Sequence, residues 1–251
     1  MEHRNGIENE LIEGRNAITE ALRAGRPIDK IYLAGGENDR ALGFISTIAR
    51  EKGIAVVECD RRKLDAMSRT HAHQGAIAVC AVRDYADVED MFRLAASRGE
   101  DPFLIICDEI TDGYNLGAII RSAECAGAHG VIIPKRRSAG LTAAVSKASA
   151  GAAEYLPVAR VANLRTAMDD LKKRGVWLYG TAADGDCALW QTRLTGPIAL
   201  VIGSEGSGMG RLVREGCDFV LSLPMKGRIS SLNASVAAAL VMYEVMRQRS
   251  L

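Results

Sequence analysis

The chain has 251 residues, 48% of them apolar and 25% charged, with a formal net charge of +1. These fractions are those of globular proteins, so they support a buried core and exclude wholesale disorder. The balanced charge excludes a uniformly basic nucleic-acid binder, and any affinity for a polyanion has to sit in a local patch.

The opening "MEHRNGIENE" is polar and acidic, unlike the apolar stretch of a secretory leader. No apolar run approaches the roughly 20 residues of a membrane span, and a soluble, cytoplasmic protein is expected. "EGRNAITEALRAG" has apolar residues at helical spacing and ends in glycine, and "IDKIYLA" follows as a strand. "RALGFISTIAREKG" predicts a helix closed by Gly53, and "IAVVEC" a second strand. The charged helix "DRRKLDAMSRT" leads through "HAHQG" into the strand "AIAVCAV". Together they predict a small α/β domain over residues 1–83.

A helix within 84–101 links this domain to a second one, 102–251, whose start is marked by Pro102. There the near-continuous apolar strands "FLIICDE", "GVIIP", "EYLPVARV", "VWLYGTA", "IALVIGS" and "FVLSLPM" alternate with helices. The helices are expected at 116–127, around 141–150, after Asn163, around 209–215 and from about 233 to 248. This alternation predicts a mostly parallel sheet covered on both faces. The cysteines at 59, 80, 107, 125, 187 and 217 form no C-x-x-C pair, and Cys80, Cys107 and Cys125 read as small core residues. His71 and His73 lie in a polar linker, and no metal site is expected.

Ligands of open α/β sheets bind beyond the carboxyl ends of strands, and three such ends are unusual here. "DEITDGYNLGAIIR" puts Asn115 at a helix start, where it suits an N-cap. It also puts Arg121 among small and apolar side chains. A half-buried guanidinium is costly unless paired or holding an anion, and Glu124 offers only a surface pair at i+3. "VIGSEGSGMG" suggests backbone wrapped closely around a ligand. Glu205 within it would repel a pyrophosphate, and G-x-G-x-x-G is absent, so a nicotinamide dinucleotide is disfavoured. "LPMKGRISSLNASVAAAL" crowds Ser230, Ser231 and Asn233 at the start of a long helix, although one of them suffices as a cap. Its small residues suit a ligand pocket or a subunit interface. "PKRRSAGL" places Lys135, Arg136 and Arg137 on the same sheet edge, as a solvated turn or as phosphate contacts. Arg15 and Asn16, with Arg61, Arg62 and Lys63, are further candidates for phosphate.

Taken together and in order, N-x-G-x-x-x-R-x-A, G-S-E-G-x-G and P-M-x-G-x-x-x-S-L-N-x-S resemble the three motifs of the SpoU (TrmH-type) ribose 2′-O-methyltransferases. "GVIIPKRRSAGLTAAVSKASAGAAEYLPVARVANL", "CDFVLSLPMKGRI", "IEGRNAITEAL" and "HQGAIAVCA" resemble the subgroup of bacterial 23S rRNA (guanosine-2′-O-)methyltransferases, RlmB. The resemblance implies an α/β protein: a SPOUT-class domain with a mostly parallel sheet and a C-terminal trefoil knot. Before it would come a small domain similar to ribosomal protein L30e that binds structured RNA. It further implies a homodimer that uses S-adenosyl-L-methionine to methylate a guanosine ribose in 23S rRNA. The same reaction on tRNA, or a non-catalytic RNA-binding relative, are the alternatives. The family's catalytic set falls on Asn115, Arg121, Glu205, Ser231 and Asn233. Its cofactor contacts fall on Thr181, Ala182, Gly203, Ser204, Glu205, Gly206, Leu223, Pro224, Met225 and Leu232. Where the family's turn has Asp-Pro, this chain has Asp112-Gly113, which lacks the fixed φ of proline. The family's arginine is its proposed base. A guanidinium with a pKa above about 12 gives up its proton reluctantly, so a charged Arg121 holding phosphate and alkoxide is the other reading.

Overall fold

In the computed structural model, which describes residues 9–36, 39–81, 84–229 and 231–250, the chain divides into two units. One runs up to Asp84 and includes Leu141–Tyr155; the other holds Tyr85–Gly140 and the chain from Leu156 onward.

The first unit is built on a four-stranded sheet. Its order is β1 (Asn9–Glu13), β4 (Ala76–Ala81), β2 (Ile28–Ala34) and β3 (Ala55–Cys59), with β2 and β3 parallel and the other pairings antiparallel. Helices α1 (Arg15–Arg23), α2 (Arg40–Glu51) and α3 (Arg61–Met67) bury Ile18, Leu22, Ile45 and Leu64 against Ile12, Ile31 and Ile77. Asp39 and Asp60 cap α2 and α3 through their carboxylates. Strand β1 falls in the polar opening, where periodicity predicts no element; its glutamates mask a five-residue strand.

Residues 141–155, with helix α6 (Ala143–Ala148), belong to this first unit although the sequence reads them with the second. Long-range polar contacts, invisible to periodicity, account for the difference. Arg26 pairs with Glu10 at 2.5 Å and with Glu154 at 3.0 Å, all three side chains being at most 10% exposed. The Tyr155 hydroxyl donates to Glu20 at 2.7 Å. Gly151 has a φ of 90°, and a Cβ there would lie 2.3 Å from the Glu20 side chain, so no other residue fits. The expected linker helix is α4 (Val88–Arg98), and it belongs to the second unit.

The second unit carries a seven-stranded sheet in which every pairing is parallel. Its order is β7 (Val158–Val161), β6 (Gly130–Pro134), β5 (Phe103–Cys107), β10 (Ile198–Ile202), β8 (Trp177–Thr181), β11 (Phe219–Ser222) and β9 (Cys187–Ala188). One face packs Leu104, Ile106, Leu178 and Val201 against Met91 of α4 and against Leu164, Met168 and Leu171 of α7 (Leu164–Lys173). Helices α5 (Gly113–Cys125) and α9 (Ala234–Arg249) pack on each other, and α8 (Arg211–Arg214) is a single turn. Cys80 and Cys107 are buried as expected, but Cys125, at the end of α5, is exposed. The strand order reverses between β5 and β10, and parallel pairing sends the loops after all seven strands to one edge. A ligand site is expected at that edge.

Candidate active site

Three loops leave this edge. After β5, Asp112 accepts the Tyr114 N–H at 3.1 Å and caps α5, which starts at Gly113. Asn115 is therefore not the cap the sequence suggested. It lies in the first turn, and its side-chain amide is free for other partners.

After β10 the chain makes a tight hairpin. The N–H groups of Ser204 and Gly208 donate to each other's carbonyls at 3.0 Å, and the Ser204 and Ser207 hydroxyls bond at 2.8 Å. A Cβ on Gly203 would lie 2.3 Å from the carbonyl carbon of Gly208, so the hairpin closes only over glycine. It presents Glu205, exposed, at its tip.

After β11, the Asn233 side-chain oxygen caps α9, accepting from the N–H groups of Ser235 at 3.0 Å and Val236 at 3.2 Å. Its amide nitrogen remains and donates to Asn115 Oδ1 at 2.9 Å and to Glu205 Oε1. Asn115 Nδ2 donates to the same Glu205 oxygen at 2.8 Å, and Ala234 N–H reaches it at 3.4 Å. One carboxylate oxygen thus draws three loops together at the start of a helix, where negative charge is favoured.

Arg121 does not join this network. It is exposed, and among the described residues it has no hydrogen bond or ion pair, Glu124 included. The expected half-burial fails because Ile119, Ile120 and Ala123 turn to the core while position 121 lies two turns beyond Tyr114, itself 59% exposed. Ser231 and Leu232 are exposed, and Ser230 lies outside the described residues.

The expected cofactor residues lie at the ends of β8, β10 and β11, which are adjacent strands. Thr181 Oγ1 donates to the Val201 carbonyl at 3.2 Å, and Ala182 N–H to that of Leu221 at 3.0 Å. The backbone of Leu223–Met225 makes no hydrogen bond among the described residues, and the apolar side chains of Met225 and Leu232 are 37% and 36% exposed. Unbonded amides beside apolar side chains fit a heteroaromatic ligand with a polar edge.

The RNA candidates divide. Lys135 and Arg136 are exposed, but Arg137 forms an ion pair with Glu109 at 2.7 Å. In the first unit Arg15 is engaged by Asp39 at 2.7 Å and by the Gln74 carbonyl at 2.9 Å, while Asn16 beside it is exposed. Arg61, Arg62 and Lys63 are exposed, with the Lys63 ammonium 5.1 Å from the centre of the Tyr32 ring. Among the described residues no group of three or more His, Cys, Asp or Glu is arranged to hold a metal, and His73 is paired with Asp65 at 2.9 Å. Sequence reasoning missed Asp108, Arg165 and Arg211, which line a cleft at the same sheet edge. The position of Asp108 directly after a buried strand was the one available signal.

Comparison with known proteins bears on this geometry. Residues 102–243 match the SpoU rRNA Methylase family, and residues 11–86 match a family described as RNA 2′-O ribose methyltransferase substrate binding. YacO of Bacillus subtilis (strain 168), named for the TrmH family of tRNA/rRNA methyltransferases, is 45% identical over 243 residues, 97% of each chain. The crystal structure of the SpoU methyltransferase AviRb from Streptomyces viridochromogenes, in complex with the cofactor AdoMet, superposes with a TM-score of 0.79. It is 27% identical, over 96% of this chain and 91% of that one. A crystal structure described as an RNA 2′-O ribose methyltransferase gives 0.81, with 26% identity over 99% and 92% of the two chains.

Proposed function

Because the chain belongs to the SpoU rRNA methylase family, we propose that it methylates the ribose 2′-hydroxyl of a guanosine in 23S rRNA. Its methyl donor is S-adenosyl-L-methionine. The observation that carries the reading is the meeting of Asn115, Glu205 and Asn233, from three separate loops, on one carboxylate oxygen.

The donor, when bound, supplies a methyl group on a positively charged sulfur. Methyl transfer then needs the ribose oxygen held in line and its proton removed, and positioning alone is worth several kcal/mol. Gly203–Gly206, Thr181, Ala182, Leu223–Met225 and Leu232 would hold the donor, largely through backbone groups. Asn115, Glu205 and Asn233 fix the loops relative to one another, and Ser231, two residues before Asn233 in the chain, would shape the ribose pocket. Arg121, exposed and without a partner among the described residues, keeps its charge and holds a substrate phosphate and the developing alkoxide, while the hydroxyl proton passes to a phosphate oxygen or to solvent water. Lys135 and Arg136, with Asn16 in the first unit, contribute phosphate contacts.

A homodimer and a C-terminal knot belong to the same reading. Supporting the dimer, Val236, Leu240 and Tyr243 form an apolar stripe on α9, 48%, 41% and 46% exposed, with Tyr114 likewise exposed on α5. No helix of the described residues is long and apolar enough to cross a membrane, and a cytoplasmic RNA-modifying enzyme is consistent with that.

The test is incubation with labelled S-adenosyl-L-methionine and, separately, rRNA and tRNA that lack the modification, followed by mapping of the methylated nucleotide. Label in a 23S guanosine supports the proposal. Label in tRNA moves the substrate, and donor binding without product on any RNA identifies a non-catalytic relative. Arg121→Ala is expected to lower turnover by about 10²–10³-fold, as loss of one transition-state charge partner does, with donor affinity unchanged. Near wild-type turnover would remove Arg121 from the catalytic set.

A further inference from the structure

A cleft of about 660 Å³ opens at the carboxyl ends of β5, β6 and β7, apart from the residues given to donor and catalysis. Arg136, Arg137, Arg165 and Arg211 line it together with Asp108 and Glu109. Both carboxylates are already engaged. Glu109 pairs with Arg137 at 2.7 Å. Asp108, 6% exposed, accepts the Gly210 N–H at 2.7 Å, and burial raises its carboxyl above the usual range.

The guanidiniums are held loosely by comparison. Arg165 pairs with Asp169 at 3.0 Å and donates to the Leu212 carbonyl at 3.3 Å, and Arg211 pairs with Glu215 at 2.9 Å; both ion pairs are partly exposed i,i+4 pairs. Such pairs are worth at most about 1 kcal/mol. Arg136 has no hydrogen bond or ion pair among the described residues. An incoming anion therefore meets cations whose present partners compete weakly.

The wall is also built under strain. Glu109 and Arg137 both take the left-handed backbone, with φ of 55° and 56°, which is uncommon away from glycine and concentrates at functional sites. The Ala139 N–H donates to the Ile110 carbonyl at 2.8 Å and ties their two loops together. One of those loops runs on to Asn115, and Gly210 closes the loop that presents Glu205. Among the described residues no aromatic side chain lines the cleft, so none of them stacks a base there. The features fit a sugar–phosphate backbone.

We infer that this cleft binds the phosphodiester backbone of the RNA strand beside the target nucleotide, with Arg136 and Arg211 gripping phosphate and Glu109 opposing the grip. The inference rests on the RNA-methylating reading and adds a strand path to it. It also gives Arg137 a part different from that of its neighbours: while paired with Glu109, it neutralises the wall.

The experiment is fluorescence anisotropy of the full chain with a fluorescein-labelled single-stranded oligoribonucleotide of mixed sequence, across a salt series. S-adenosyl-L-methionine affinity serves as the control for folding. Arg136→Ala and Arg211→Ala are each expected to weaken binding several-fold and to reduce the salt slope by about 0.7. Glu109→Gln is expected to tighten binding several-fold, since it removes a negative charge and releases Arg137. Wild-type affinity and slope in the double arginine variant would overturn the proposal, and so would a Glu109→Gln variant that binds no tighter. Failure of the enzymatic reading is a separate result, the absence of transfer by the wild-type chain to either RNA, because the binding measurement does not require transfer.

Discussion

Glu13 closes strand β1 of the first unit and Asp108 follows strand β5 of the second; the two buried carboxylates are 0% and 6% exposed. Burial pushes both upward in pKa, yet they end on opposite sides of the usual value. Glu13 accepts from the Ser68 hydroxyl at 2.5 Å, the Arg69 N–H at 2.6 Å and the Thr70 hydroxyl at 2.5 Å, and these donors overcome burial and lower it. Asp108 has, among the described residues, the single Gly210 donor, and burial wins. The arginines differ in the same sense. Arg26 is buried between Glu10 and Glu154, whereas Arg121 is exposed and has no ion-pair partner among the described residues. In the first unit charge is used to fasten chain segments together. In the second it is left incompletely matched along the sheet edge, where an anionic substrate would arrive.

The largest effect expected from this contrast is on stability. Arg26→Met removes the cation shared by two buried carboxylates, and breaking such a buried ion pair from one side costs about 3–5 kcal/mol. Arg121→Met removes an exposed, unpaired cation and should change stability by less than about 0.5 kcal/mol. Urea denaturation of both variants checks the difference; equal losses would show that the two units do not differ in this way.

Glu13→Gln comes next. The amide turns one acceptor into a donor facing the Ser68 and Thr70 hydroxyls, at about 1–3 kcal/mol. The folded pKa of Glu13 is lowered, so its contribution is present above the unfolded value of about 4.3 and is lost as pH falls through the folded value. Urea midpoints should therefore fall with acidification more steeply in the wild type than in the glutamine variant. Parallel curves would remove Glu13 as the acid-sensitive clamp.

Much of the second unit was legible because its strands are unbroken apolar runs and the loops after them carry Gly203, Glu205 and Asn233, residues that are unusual there. Asn115 was legible as a polar residue at a helix start, but its role as cap belongs to Asp112, and only the observed backbone separates the two. The burial of Arg121 was misread because hydrophobic neighbours in sequence turn to the other side of α5. Residues 141–155 were assigned to the wrong neighbours in space, since an ion pair between Arg26 and Glu154, 128 positions apart, leaves no periodic trace. The Glu109–Arg137 pair was hidden for a similar reason. It depends on two left-handed residues, neither of them the glycine or asparagine that would announce such a turn.

The smallest expected effect is the most discriminating. Asp108→Asn keeps a carbonyl to accept the Gly210 N–H and removes only the charge, which burial already disfavours. With its folded pKa raised, Asp108 weakens the protein at pH above that value, and the penalty disappears as pH falls towards the unfolded value near 4. The asparagine variant should therefore equal or exceed the wild type in stability at neutral pH, by at most about 1 kcal/mol, and converge with it in acid. Thermal melts at several pH values read this directly. A marked loss at neutral pH would mean that the Asp108 charge is matched by its surroundings, as that of Glu13 is, and the contrast between the two carboxylates would fail.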